Sequence, residues 1–411
     1  MNKSTLNRRQ FLSATFAAAA ATPFVSLTNA RAEDKAATPA PEQFKRRIKI
    51  GIVGNGGRGG WIAKLFKAHG GYEMHAVADY FPEVADQCGE TLGVDKSRRF
   101  STLSSFKRLL ESGVEAVALE LPPYFMPGYA AMAVEAGIHV YMAKPVAVDV
   151  PGALQILAAG KLGVRKQCCF LVDYQMPTDP ANIEVHKRVC TESFGKFTQI
   201  QTTGITRGHV DPPKTANLES RMRNLTWTND IAIGCDYIGN FDIHAIDAAL
   251  WVAGQRPFSA IGDSRICRPD PHGDSHDVCS VIFEYADGLI HNHIGHAHDC
   301  QLNGELSCRI FSPKGNALLT YWGKAMMRSF DDSFAKPVEN LYEAGATRNI
   351  ASFYRNITEG RFENETVQRS VDGVLTCILG REAAARHTRL TMDELLKENK
   401  KLEVDLTGLK T

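Results

Sequence analysis

A two-domain α/β protein is the expectation from three observations. The amino-terminal half alternates short apolar runs with amphipathic segments, and a glycine cluster closes the first of those runs. In the carboxyl-terminal half, strand-like runs follow one another with few helices between them. Strands alternating with helices make a parallel sheet with crossover helices, whereas strands in succession pair antiparallel. The 411 residues exceed what one core usually organises, which agrees with two domains. With 44% hydrophobic and 23% charged residues the chain is ordinary globular material, and a net charge of +1 gives no basis for a nucleic-acid partner.

Residues 1–32 look like an export address. Asn7-Arg8-Arg9-Gln10-Phe11-Leu12 resembles the twin-arginine motif, an alanine-rich stretch follows to Leu27, and Ala30-Arg31-Ala32 offers an A-x-A cleavage site. The expectation is a chain handed to the twin-arginine export machinery already folded and released to the periplasm or beyond. Residues 33–46, with Pro, Ala and charges, form the expected linker. No other stretch has the roughly 18 apolar residues of a membrane span, so none is expected in the mature form. The 10 cysteines are scattered, with only Cys168-Cys169 adjacent and no C-x-x-C. Buried thiols are therefore expected rather than a disulfide framework.

Ile48, Ile50, Ile52 and Val53 make the first strand, which stops at Gly54-Asn55-Gly56-Gly57-Arg58-Gly59. Gly54, Gly56 and Gly59 stand at the G-x-G-x-x-G spacing. The first turns the chain, the second lets backbone approach a pyrophosphate, and the third lets the helix pack on the strand. A helix over 61–69 then aims its N-terminal N–H groups at the phosphates. The second strand, 73–78, ends at Asp79, about 20 residues past the glycines, where a carboxylate takes the adenosine ribose hydroxyls and repels a 2′-phosphate. NAD is expected over NADP, and Asp79 is equally placed to cap the helix that starts at Pro82. A buried strand over 114–121 meets Pro122-Pro123, and a helix over 126–136 leads to a strand over 138–142 and the loop Ala143-Lys144-Pro145-Val146-Ala147. Pro151 opens another helix, and a strand over 167–172 completes a Rossmann domain spanning 47–172. Over 173–411, strands are expected at 196–203, 279–285, 289–298, 305–311 and 317–321, with Asp287-Gly288 as a hairpin turn. With helices over 349–359, 366–387 and 391–398, this half is expected to be an α+β substrate and oligomerisation domain with an open, mainly antiparallel sheet.

Three features coincide: GIVGNGGRG at the first turn, AKPVA after the fifth strand, and FDIHAIDAALW in the second domain. Together they resemble the Gfo/Idh/MocA oxidoreductases from about residue 47 onward. The resemblance implies NAD(P) held by Gly54, Asn55, Gly56, Gly57, Arg58, Gly59, Asp79, Pro122, Lys144 and Pro145. It also implies a second domain that completes a sugar site and forms homo-oligomers through its sheet. The family's Glu-Lys-Pro lysine corresponds to Lys144, and a lysine at a strand's carboxyl end projects into the crevice where its charge stabilises an alkoxide. The family's histidine corresponds to His244, and Asp247 to the acid three residues on. Ala143 replaces the motif's glutamate, and Asn240 stands where many relatives carry an acid.

On one uninterrupted helix, Asp236, Asn240, His244 and Asp247 fall within about 80° of one another, with Trp251 in the same stripe and Asp242 opposite. Asp247 is thereby expected to orient the His244 imidazole. On a strand, His291 and His293 share one face while His296 and His298 share the other, which is too divergent for a tetrahedral centre, so no metal is expected. Arg207, His209, Arg221, Arg223 and Trp227 occupy a polar connection suited to a carbohydrate by stacking and hydrogen bonding, or equally a solvated loop. The expected function is hydride transfer at a carbinol carbon of a sugar, sugar derivative or cyclitol with a retained cofactor. His244 handles the hydroxyl proton and Lys144 the oxygen charge. The alternatives are a glycosidase or lyase using transient oxidation, and a non-catalytic protein that retains the nucleotide.

Overall fold

The computed structural model describes residues 44–411 apart from 216, 300 and 302; the export address and most of the linker lie outside the described residues. Strands β1 Ile48–Val53, β2 Tyr72–Asp79, β3 Arg99–Ser101, β4 Ala116–Leu119, β5 His139–Met142 and β6 Phe170–Val172 pair in the order β3-β2-β1-β4-β5-β6. All of these pairs are parallel, and the order reverses between β1 and β4, which opens a crevice at the strands' carboxyl ends. Helices cover both faces, so β1 is buried at every position but Lys49. Ile48, Ile50 and Ile52 are fully buried, each contributing about 1.5–3 kcal/mol. The first helix, α1, spans Gly57–His69 and begins earlier than its apolar pattern reveals, because its first turn is glycine and arginine. It is followed by α2 Pro82–Leu92, α3 Ser105–Glu111, α4 Met126–Glu135 and α5 Val150–Arg165. The Asp149 side chain caps α5 by accepting from Gly152 N, with proline in the first turn where no donor is missed.

The second sheet comprises β7 Gln199–Thr206, β8 Ser259–Arg265, β9 Val278–Glu284, β10 Ile290–Ala297, β11 Glu305–Ser312, β12 Gly315–Thr320, β13 Gly323–Ser329, β14 Ser333–Val338 and β15 Leu390–Thr391. Its order is β14-β13-β12-β11-β7-β10-β9-β8-β15, antiparallel throughout except for β7 beside β10. Strands β8, β13 and β14 escape the sequence pattern because they are half-exposed and carry Gly262, Lys324, Lys336 and Pro337, residues typical of sheet margins. The inner face packs on α6 Pro180–Val189, α7 Asp236–Asn240, α8 Ile243–Ala253 and α10 Glu365–Ala385. The outer face leaves Ile261, Ile282, Ile290 and Ile294 exposed. Helix α9 Leu341–Glu359 returns to α1, where Tyr342 stacks on Trp61 at 4.4 Å, and α11 Met392–Glu398 follows β15.

The expected continuous histidine helix is corrected by the structure. The chain turns at Phe241–Asp242 between α7 and α8, and Cys235 and Asp236 enter α7 at φ 74° and 70°. A single 100° wheel therefore does not apply, and the four polar residues do not form one stripe. The described cysteines are all free thiols, most of them buried. No helix among the described residues is long and apolar enough to cross a membrane.

Candidate active site

The glycine loop divides its work as its spacing suggests. Gly54 leaves β1 at φ 82°, and a Cβ on Gly59 would lie 1.7 Å from the Gly54 oxygen, so α1 docks only on glycine. Around Gly56 and Gly57 a Cβ would meet nothing within 4 Å. That empty cradle, at a helix N-terminus, fits a pyrophosphate. Asp79 accepts from Asn55 N at 2.7 Å and Phe81 N at 2.9 Å, which ties the loop to β2 and leaves lone pairs for ribose hydroxyls. Burial pushes its carboxyl up.

Lys144 follows β5 and precedes a cis peptide to Pro145. Its buried amine donates to the main-chain oxygen of Asn240. Burial and the nearby Arg58 bring it down to about 7, against the opposing pull of Asp173 and Glu120. Arg58, inside the glycine loop, donates to Asp173 at 2.6 Å and to the Tyr342 hydroxyl at 2.8 Å, and its Nε lies 3.0 Å from Glu120. Burial raises Glu120 to about 7 even beside Arg58. Asp173 also accepts from Gln175 at 2.6 Å and Asn349 at 2.7 Å. Carboxylates after β4 and β6 thus surround the lysine that Ala143 leaves without its usual glutamate. Sequence reasoning missed both; the available signal was an acid closing each of two apolar strands.

His244 is buried against Tyr321 and Tyr174, with ring centroids 5.3 and 6.2 Å away. Its Nδ1 has no hydrogen-bond partner among the described residues. Burial first, then Lys144 and Arg58, hold the imidazole well below its ordinary value. Asp247 does not orient it: its Oδ1 accepts from Arg369 Nε of α10 at 2.7 Å. Asn240 contributes its main-chain carbonyl rather than its amide. Asp236 is buried apart from Lys144, accepting from Tyr237 N at 2.6 Å and His276 N at 3.1 Å; burial pushes it up to about 7 against the pull of Arg381. Trp251 stacks on His186 at 3.9 Å. Trp227 sits half-buried in the turn Thr226–Asn229. Arg223 lies 3.7 Å over the Phe81 ring and 2.9 Å from Glu83, just after β2 rather than beside Lys144. His209, which burial and Lys144 hold low, stands at the border of a cavity of about 1040 Å³ lined also by Asp211, Arg223, Asn224, Arg268 and His272. His291 and His293 face inward and are fully buried, while His296 lies on the other face.

Residues 48–174 match the family described as "Oxidoreductase family, NAD-binding Rossmann fold" of the Gfo/Idh/MocA group. A glycosyl hydrolase family 109 protein of Shewanella pealeana is 26% identical over 179 residues, 40% of this chain and 39% of that relative. The match therefore spans well under half of that protein. Aldose–aldose oxidoreductase from Caulobacter crescentus, solved with glycerol, superposes with a TM-score of 0.69 at 19% identity, covering 84% of this chain and 100% of that one. Levoglucosan dehydrogenase with NADH and levoglucosan gives 0.70 at 17% identity, over 85% and 100%. These likenesses show a shared two-domain fold. Residues 48–174 thus match the NAD-binding Rossmann domain of the Gfo/Idh/MocA oxidoreductases, inside a two-domain fold shared with both solved structures.

Proposed function

We propose that the chain is an NAD-dependent oxidoreductase moving hydride between nicotinamide and a carbinol carbon of a sugar, sugar derivative or cyclitol. The observation that carries this reading is Lys144, a buried amine brought to about 7 at the carboxyl end of β5, next to a histidine that burial keeps neutral. The Gly54–Gly59 loop would hold the pyrophosphate and Asp79 the adenosine ribose; NAD bound there supplies the hydride acceptor. In the oxidation direction the neutral Lys144 amine takes the hydroxyl proton while His244 orients that hydroxyl. The proton falls to the lysine because a buried imidazolium is the costlier cation. The cavity beginning at His209 accommodates the rest of the carbohydrate.

Transient oxidation that labilises a glycosidic bond is the second reading, favoured by the partial match to a glycosyl hydrolase family 109 protein. The same proposal has the chain exported by the twin-arginine route with its nucleotide bound, and pairing with further copies through the apolar outer face of the second sheet. The test is to denature the purified protein and assay the supernatant for NAD(H) and NADP(H), then to run sugar, cyclitol and glycoside panels on wild type and Lys144→Met. Stoichiometric NAD with turnover lost in the variant supports the reading; a glycoside cleaved without net NADH selects the second. A protein that is empty and fails to bind added dinucleotide overturns both.

A further inference from the structure

The turn between α7 and α8 has a cause far away in the chain. Asp242 holds the N-cap position of α8, yet its side chain makes no bond to that helix. It enters a dent in the second sheet instead, where Gly204 of β7 and Gly295 of β10 stand side by side in register. A Cβ on either glycine would overlap a carboxylate oxygen of Asp242. In the dent, Asp242 Oδ2 lies 3.0 Å from His293 Nε2, His293 Nδ1 lies 2.9 Å from Thr202 Oγ1, and that hydroxyl lies 2.6 Å from His291 Nε2. All four side chains are buried. One direction satisfies every member: His291 Nε2–H donates to Thr202, the hydroxyl donates to His293 Nδ1, and His293 Nε2–H donates to Asp242.

The turn also strands a carbonyl. In a continuous helix the Asn240 oxygen would accept from His244 N, but that N–H turns to Phe241 O at 3.4 Å and the Asn240 oxygen takes the Lys144 amine. Resting on the role proposed for Lys144, we propose that Asp242, held by His293, Thr202 and His291, is the positioning residue that keeps this helix interrupted and the Asn240 carbonyl on the amine. The second sheet thereby fixes the hydrogen-bond partner of a lysine carried by the first. The charged and titrating groups facing Lys144 are Arg58, Asp173, Glu120 and Cys377, with His209, His244 and Asp242 coupled to it. Those facing Asp242 are His293, His296, Cys279 and Cys377.

The Lys144 titration is read directly, without turnover, by competitive acetylation with acetic anhydride across pH and mass spectrometry of the Lys144 peptide. A carbonyl acceptor favours the ammonium form, so Asp242→Ala and His293→Phe move this titration to lower pH by about half a unit or more. Both lower kcat about tenfold at unchanged NAD affinity, and Asp242→Asn, whose amide oxygen still accepts from His293, recovers most of the turnover. An unmoved titration in both variants overturns the proposal. So does stoichiometric metal in the purified protein that is lost in Cys279→Ser, because Cys279, Asp242 and His293 offer ligand atoms within 4.8 Å of one another, and bound metal would make them a coordination site rather than a tether. Unchanged turnover in Lys144→Met would instead fault the functional reading, while the labelling titration still decides the tether.

Discussion

Lys144 and Glu120 carry ordinary values of 10.5 and 4.5, and burial brings both to about 7 inside one cluster with Arg58 and Asp173. Oxidation needs the unprotonated amine, so turnover is expected to rise with pH through about 7. The Glu120 carboxylate raises the lysine, so Glu120→Gln moves that rise to lower pH, as a pH–rate profile will show. The stability consequence has the opposite sign to a usual ion-paired acid. Because the folded value of Glu120 is raised, the folded state holds its proton more tightly than the unfolded chain does. That contribution is present below about 4.5 and is lost as pH rises through about 7. The melting temperature of Glu120→Gln relative to wild type is therefore expected to climb between about pH 5 and 8. Lys144 and His244 were legible because each lies in a motif; Glu120 and Asp173 were not, since a single acid after an apolar strand shows no sign of its partner Arg58.

At the scale of the element, the glycine loop and the histidine helix make a contrast. The loop was readable because its constraint is local: the Gly59 position abuts the Gly54 oxygen five residues back, and Gly56, at φ −64°, borders open space. The two glycines should respond differently. Gly59→Ala must push α1 off β1 and lose both stability, by about 1–3 kcal/mol, and NAD affinity. Gly56→Ala adopts its native φ without strain and melts like wild type, yet its methyl fills the cradle and weakens NAD binding tenfold or more, roughly 1.4 kcal/mol. Thermal melts beside calorimetric NAD titrations separate the two; equal loss of stability would refute this division. The histidine helix was misread for the complementary reason. Nothing at Phe241–Asp242 signals a break, because the residues that draw Asp242 out of the helix, Gly204, Gly295 and His293, belong to other strands. Expecting Asp247 to serve His244 failed for a separate reason: both lie on α8, and Arg369, more than a hundred residues on, holds that carboxylate.

The whole molecule closes the nucleotide groove with segments that no local pattern connects to it. The connection over 207–230 belongs to the second domain, yet its Arg223 lies over Phe81 and beside Glu83, two residues just after β2. The carboxyl-terminal tail reaches the same place: Lys410 N donates to the Tyr80 hydroxyl at 3.1 Å, and Leu103 N donates to the Lys410 oxygen at 3.0 Å. Lys410 Nζ stands 3.9 Å from Glu219, which joins the two segments over the adenosine end. A guanidinium over an aromatic ring at an exposed site contributes about 0.5–1 kcal/mol. Losing it is expected to favour an open connection about two- to fivefold. With the adenosine ribose on Asp79 as proposed, lifting that connection is expected to ease release of the nucleotide. Arg223→Ala is therefore expected to release NADH about two- to fivefold faster in a fluorescence chase. Sequence reading placed Arg223 among the substrate contacts, and the same variant decides between the two roles: a raised KM with unaltered NADH release would return it to the substrate and leave the groove held by the glycine loop alone.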